Sequence, residues 1–480
     1  MCAVNSSPQG TPVIEVAPPP LAEMRGLRIL LPPSPKLAEI QALVGRAAAA
    51  GINALVVRVY RRGTTLWPSE AASRWRLPRV RRWHSGRDIL AELARACLAE
   101  GVALVAWLDL LPAVDHRLER WSPLARRHWA WRMQRFTGSP YPQGVESDQI
   151  FLCPARGPVR TFLGDVCTEL AERYPVHALW FEGLRYPLGA NRPDTSMCHC
   201  AVCRSRVHAE LEFELAEMPL DERAWEYQAW SRWRQEQLHV LLTEIVARIR
   251  RVRGATPITG GVPMGCSAQP AQSVGLMGWA RWVREGLLDL ACTMDFGSPG
   301  ATTPAQRLET LRQDLEAVAP AGRLAPLLPL SDLHAPANPL LEAVRTMPLS
   351  GLVWDGFPNG LSGEDWSALQ RLHGERAALV PEIDPRDSMH SVIGETAELA
   401  EKGGPLSTFL ADLLSVLQTG YGQFSDAQMG ELLEDLAKYQ RAAESGDLAV
   451  SDRARAVRNL DWLQRQLIYL RGRQLLTRAH

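Results

Sequence analysis

Lysine is nearly absent from this chain: among 480 residues it stands only at positions 36, 402 and 438, and the 53 Lys+Arg are matched by 53 Asp+Glu. A neutral chain is neither a polycation nor a polyacid, and the arginine bias fits codon usage better than phosphate recognition. No stretch approaches the run of roughly 20 apolar residues that a membrane helix needs. The opening MCAVNSSPQG has no basic start followed by an apolar core, so no secretory signal is expected and the default compartment is the cytoplasm. A misassigned start codon would reopen the cell envelope. The nine cysteines, at 2, 97, 153, 167, 198, 200, 203, 266 and 292, are odd in number and mostly scattered, which suits reduced thiols better than a disulfide framework. A Walker lysine loop, a G-x-G-x-x-G after a strand, an H-E-x-x-H and a G-x-S-x-G elbow are also missing, which removes the common signatures of nucleotide, dinucleotide, zinc-protease and serine-hydrolase chemistry.

What is present is a globular composition, 46% hydrophobic and 22% charged, with 16 Trp against 8 Tyr and 9 Phe. Indole faces suit cores first and sugar stacking second. Residues 1–22, rich in Ser, Pro and Gly, read as a disordered leader. From Gly26 onward, short β-rich apolar runs alternate with amphipathic helical stretches. The strands are expected at GLRILL from Gly26, ALVVRVY from Ala54, VALVAWL from Val102, HALWF from His177, PITGGV from Pro257, DLACTMDF from Asp289, LAPLLPL from Leu324 and GLVWDGF from Gly351. Eight such units favour an α/β chain with a closed (β/α)8 TIM barrel over residues 23–375, ahead of a flavodoxin-like sheet of five or six strands. Long excursions follow the second, third and fourth strands. Past about Arg376 the strand pattern stops, and residues 386–480 read as an all-helical extension, a candidate docking unit for a protein partner. Ser425 is expected to cap one of its helices.

In such a barrel the site lies at the carboxyl ends of the strands. The polar residues there are Arg58, Tyr60, Arg61 and Arg62 after the second strand, Asp109 after the third and Glu182 after the fourth. Asp295 stands at the sixth, Asp332 and His334 after the seventh, and Asp355 at the eighth. Converging carboxylates are what glycoside hydrolysis requires, one protonated to donate to the leaving oxygen and one acting as base or nucleophile. For each acid other than Glu182, an ion pair with a neighbouring arginine is the plainer explanation.

The segment HALWFEGLRYP is similar to the strand-four segment G-I-H-F-D-D-Y-x-Y-P of the glycosyl-hydrolase-like barrels of family 10, which include bacterial cell-envelope glycan hydrolases. Glu182 falls on the first acidic position, Gly183 on the second, and Tyr186-Pro187 match the ending. LCPARGPVR from Leu152 resembles that family's L-N-P-x-x-P-x-V-R, and MRGLRILL resembles its opening R-G-V-W strand. VVRVYRRGTTLWPSE, VALVAWLDL and GWARWVREGLLDLACTMDF resemble three further stretches in the same order, so the likeness runs through most of residues 24–372. The resemblance implies a glycosidase acting on a glycan or polysaccharide without a required cofactor. Glu182 would be the general acid. Asp295 and Asp355 rank as near-equal second carboxylates because each directly closes a strand, and Asp109 comes third. Arg58 and Arg62 would hold hydroxyl or carboxylate groups, with Tyr60, Trp107 and Tyr186 stacking sugar rings. The paired acids of the family are reduced to one here, and that loss favours the rival reading, an inactive barrel serving as a glycan-binding or protein-interaction scaffold.

Two further clusters stand out. CHCAVC places Cys198, Cys200 and Cys203 close enough to turn back on one tetrahedral Zn²⁺; the alternative is three reduced thiols packing a loop, and the fourth ligand stays open among His199, His208 and Cys153. Between Arg58 and Arg135 arginines are interleaved with tryptophans. That pattern serves nucleic acid, an anionic glycan or internal ion pairs. In a neutral protein internal pairing is favoured and nucleic acid is disfavoured.

Overall fold

Each of the eight expected apolar runs forms a strand, and the eight strands pair in parallel. They are β1 (Met24–Ile29), β2 (Ala54–Arg61), β3 (Ala103–Asp109), β4 (Ala178–Glu182), β5 (Ile258–Pro263), β6 (Leu290–Met294), β7 (Leu324–Pro329) and β8 (Gly351–Asp355). Each strand pairs with its successor, and β8 returns to β1 with Gly351 opposite Met24 and Asp355 opposite Arg28, so the sheet closes. The computed structural model describes residues 21–478 except 79–85, 117–121, 145, 189–191, 255, 266–273, 296–302, 319–322, 335–340, 342–346, 357–359, 375–377, 380–384, 401–403, 420–424 and 446–449. The expected leader and Cys266 therefore fall almost wholly outside the described residues.

Around the barrel run α1 (Leu37–Ala49), α2 (Ile89–Ala99), α3 (Gly157–Arg173), α4 (Ala201–Leu211), α5 (Trp225–Val252), α6 (Trp279–Arg284), α7 (Pro304–Ala317) and α8 (Gly363–His373). Successive side chains along each strand point to opposite faces, as a period of two requires. Val56, Val105, Trp107, Trp180, Cys292, Leu327 and Val353 fill the barrel interior. Leu55, Val57, Leu104, Leu108, Leu179 and Phe181 point outward against helix residues such as Leu93, Phe162, Leu163, Leu241 and Ile245. Both faces of every strand are buried, which explains why the strands read as continuous apolar runs.

Four more helices follow: α9 (Pro385–Leu399), α10 (Pro405–Thr419), α11 (Asp426–Ser445) and α12 (Val450–Arg478). They bury a core of their own, including Met389, Ile393, Leu410, Leu413, Leu436, Leu460 and Leu463. Ser425 caps α11 as expected, its hydroxyl accepting from the Gln428 amide at 3.2 Å while its own amide donates to Gln428 at 2.9 Å. Arg323, just before β7, hydrogen-bonds Gln466 on α12 and ties this layer to the barrel. Among the described residues no helix is long and apolar enough to cross a membrane.

Closure rests on a tight approach at Gly351, whose φ is +124° and where an added Cβ would lie 2.2 Å from the Met24 carbonyl oxygen. Replacing Gly351 by alanine is expected to destabilise the fold by at least the roughly 1–3 kcal/mol of a strained backbone position, read as a lowered denaturation midpoint. A variant with the wild-type midpoint would show that the β1–β8 seam has room to spare.

Candidate active site and a buried cysteine centre

The inward phase of each strand decides which side chains reach the mouth. On β3 the inward series Ala103, Val105, Trp107 ends at Asp109, and on β4 the series Ala178, Trp180 ends at Glu182. Val353 on β8 is followed in phase by Asp355, Met24 on β1 by Arg28, and Val56 on β2 by Arg58. Gly261 on β5 leaves the space these groups need. A Cβ there would come within 3.1 Å of Trp180 Nε1, 3.2 Å of Met294 Sδ and 3.5 Å of Glu182 Cγ.

The result is a ring of ion pairs. Arg28 grips Asp355 with two parallel bonds, Nε to Oδ1 at 3.0 Å and Nη2 to Oδ2 at 2.9 Å, and its remaining Nη1 donates to Glu182 Oε2 at 2.7 Å. The bidentate geometry fixes both position and orientation. Arg58 pairs with Asp109 at 3.3 Å, and Trp107 Nε1 donates to the other Asp109 oxygen at 3.0 Å. Both cations stack over the Trp107 ring, its centroid 4.8 Å from the Arg28 guanidinium carbon and 5.0 Å from that of Arg58. Glu182 is register partner to Asp109 on the neighbouring strand. The Arg28 side chain is 3% exposed, against 16% for Glu182 and 21% for Asp355, so the cation forms the floor and the carboxylates face the opening.

Three carboxyls meet two guanidiniums here, and the imbalance falls on Glu182. Burial pushes its pKa above the ordinary glutamate range, the Arg28 charge pulls it back, and the Asp109 and Asp355 carboxylates push it up again. The net direction is upward. Arg28 moves the other way from a simply buried base, because its two acidic partners outweigh desolvation and raise its pKa.

A second cluster lies in the excursions after β3 and β4. Cys153 follows the short strand Gln149–Phe151, Cys198 and Cys200 precede α4, and Cys203 sits in its first turn. The four sulfurs lie within 4.8 Å of one another, with Cys153 3.5 Å from Cys203 and 3.9 Å from Cys200, and all four side chains are fully buried. The amides of Gln134 and Cys200 both donate to Cys198 Sγ at 3.4 Å. The fourth sulfur is thus Cys153. His199 packs between Phe136 and Trp230 instead, and burial draws its pKa down to about 4. His208 is mostly exposed and bonds Glu214 at 3.0 Å. Such a donor set can hold a metal ion.

The sequence profile described as glycosyl hydrolase-like 10 matches residues 33–318. This chain belongs to that family. No curated protein sequence matches it. Among solved structures, the glycoside hydrolase domain of PgaB (BpsB) from Bordetella bronchiseptica is similar with a TM-score of 0.53 and 13% identity, over 74% of this chain and 99% of that one. The catalytic domain of β-amylase from Paenibacillus polymyxa is similar with a TM-score of 0.51 and 12% identity, over 74% and 99%. An α-L-fucosidase isoenzyme from Paenibacillus thiaminolyticus has a TM-score of 0.50 and 12% identity over 74% of this chain, which spans only 49% of the fucosidase. At these identities the likeness establishes the shared barrel.

Several residues expected at the mouth of this glycosyl hydrolase-like barrel lie elsewhere. Asp295 is exposed beyond the end of β6, one step out of the inward phase set by Leu290, Cys292 and Met294, so Met294 takes the place beside Glu182. Tyr60 follows a register shift between Arg58 and Tyr60, and this bulge turns it outward against Phe162 of α3, 1% exposed. Arg62 is buried in an ion pair with Asp115 at 2.9 Å. Tyr186 is 1% exposed under the Arg234 guanidinium, and Trp107 at 2% is the floor beneath the arginines, so neither offers a free face to a sugar. Arg28 was missed by the sequence reading. The available signal was an arginine sharing strand phase with Met24 inside an apolar run.

Arg28→Met would leave two half-buried carboxylates without their cation. The expected loss at neutral pH is about 3–5 kcal/mol. Because Glu182 already binds its proton more tightly than a free glutamate, and loses its main counterweight in the variant, that loss should shrink as pH falls through its raised pKa and this acid becomes neutral. Chemical denaturation at neutral pH and near about pH 4 reads it; an equal loss at both would contradict the network.

Proposed function

We propose that the chain cleaves a glycosidic bond in a polysaccharide or glycan, with Glu182 as general acid and Asp355 as the second carboxylate. The observation that carries the reading is the geometry of the mouth: Glu182 is buried among three acids that share two arginines, and burial, with the two neighbouring carboxylates, raises its proton affinity against the pull of Arg28. An acid of that kind keeps its proton at a pH where a free glutamate has lost it, which is what protonating a leaving oxygen needs. Asp355 is the more open of its two neighbours and stands across the Arg28 guanidinium from Glu182, a spacing in keeping with the roughly 5–10 Å between paired glycosidase carboxyls. Asp109, tied to Arg58 and Trp107, serves to position the floor. Family membership and the barrel shared with glycosidases support the same reaction class.

The four buried sulfurs are proposed to hold a structural Zn²⁺. Their mutual distances suit Zn–S bonds of about 2.3 Å, and a site closed by four thiolates has no open position for chemistry. The ion would pin the excursions after β3 and β4 to one another. Residues 23–375 are proposed as the glycan-binding barrel unit and residues 386–480 as a separate helical unit for a protein partner.

A specific observation favours a second reading, a barrel that binds glycan without cutting it: every mouth carboxylate already has an arginine partner. Reducing-end release from cell-wall glycan, chitin-type and α- and β-glucan substrates separates the two. Hydrolysis is expected for the wild type, with Glu182→Gln reducing the rate about 10²–10⁴-fold and Asp355→Asn reducing it comparably. Undiminished release by Glu182→Gln would remove it as the acid, and no release by the folded wild type on any substrate would favour the binding reading.

A further inference from the structure

Arg234 lies in the middle of α5 with 1% of its surface exposed. Its guanidinium carbon is 3.8 Å from the Trp230 ring, 5.6 Å from Tyr186 and 5.7 Å from Tyr227. One nitrogen donates to the Met197 carbonyl and another to the Ser231 hydroxyl, each at 2.9 Å, while Nε has no acceptor. Among the described residues no carboxylate pairs with it. A guanidinium cannot shed its proton, so a buried one needs a counter-charge. Aromatic faces and neutral oxygens supply only part of that.

Among the described residues, the cysteine cluster adjoins it and can supply the rest. Met197, whose carbonyl Arg234 holds, precedes Cys198, and Tyr186 lies near both Arg234 and the cysteine sulfurs. Four neutral thiols carry no charge, whereas four thiolates around a divalent ion carry a net charge of −2. Arg132 also feels Cys198 and Cys200, but it is only half-buried and stacks on Trp129.

We propose that Arg234 is the internal counter-cation of a tetrathiolate metal centre at Cys153, Cys198, Cys200 and Cys203, so that its burial is stabilising only when the metal is bound. The inference rests on the zinc reading above. It gives Arg234 a positioning and charge-balancing role, in which removing the charge harms the loaded centre and relieves the empty one.

The experiment uses the full chain as wild type, Arg234→Met and Arg234→Lys. Elemental analysis gives zinc per chain, competition against a chromophoric chelator gives zinc affinity, and thermal midpoints are taken with zinc bound and after stripping. One zinc per wild-type chain is expected. Arg234→Met should weaken zinc binding about 10–100-fold, lower the midpoint of the loaded protein and raise that of the stripped protein, while Arg234→Lys stays close to wild type. If Arg234→Met binds zinc as tightly as wild type and lowers both midpoints equally, the residue is packing only and the proposal is overturned. If the wild type takes up no zinc, the metal reading itself fails, and the proposal with it.

Discussion

Arg28 reaches Asp355 because the sheet closes. The two residues are register partners across the β8–β1 seam, the last pairing the barrel makes, and from there the same guanidinium extends to Glu182 on the fourth strand. Sheet closure and mouth electrostatics are therefore one constraint. A barrel with a slipped β8 would move Asp355 out of the inward phase and leave Arg28 buried against a single acid. The tight backbone approach at Gly351 holds the register from the other end of the same strand.

What the seam organises is a site that is floor-cationic and rim-acidic. The buried Trp107 ring carries both guanidiniums over it. Desolvation then works on the acids. An ion pair at 2.7 Å would by itself lower the Glu182 pKa, yet burial and two neighbouring carboxylates prevail. The cysteine centre belongs to a different part of the design. Its sulfurs bring Cys153, from the excursion after β3, against the CHCAVC segment from the excursion after β4, and the buried Arg234 that holds the Met197 carbonyl belongs to the long helix α5.

The barrel was legible in the sequence because parallel strands buried on both faces must be apolar throughout, and the eight runs from Gly26 to Gly351 are. The site was legible only in part. Glu182, Asp109 and Asp355 follow from asking which polar residue closes each strand, but that question ignores phase, and phase removes Asp295. Tyr60 escapes any pattern of two because a bulge precedes it. Arg28 was hidden by the arginine-rich composition, which made any single arginine uninformative. Cys153 lies 45 residues before the CHCAVC triplet, and only the packing of two excursions against each other brings it to the other three sulfurs.

The central claim is that the surplus carboxyl at the mouth is Glu182 and that it holds its proton above the ordinary glutamate range. An infrared difference titration of wild type against Glu182→Gln tests it most directly, by following the carboxylic C=O stretch that the substitution removes. The account predicts a protonated carboxyl band that persists above the pH at which a free glutamate ionises and vanishes in the variant. A band lost at or below that pH would show that the Arg28 ion pair governs Glu182, and the charge argument for a general acid would fail.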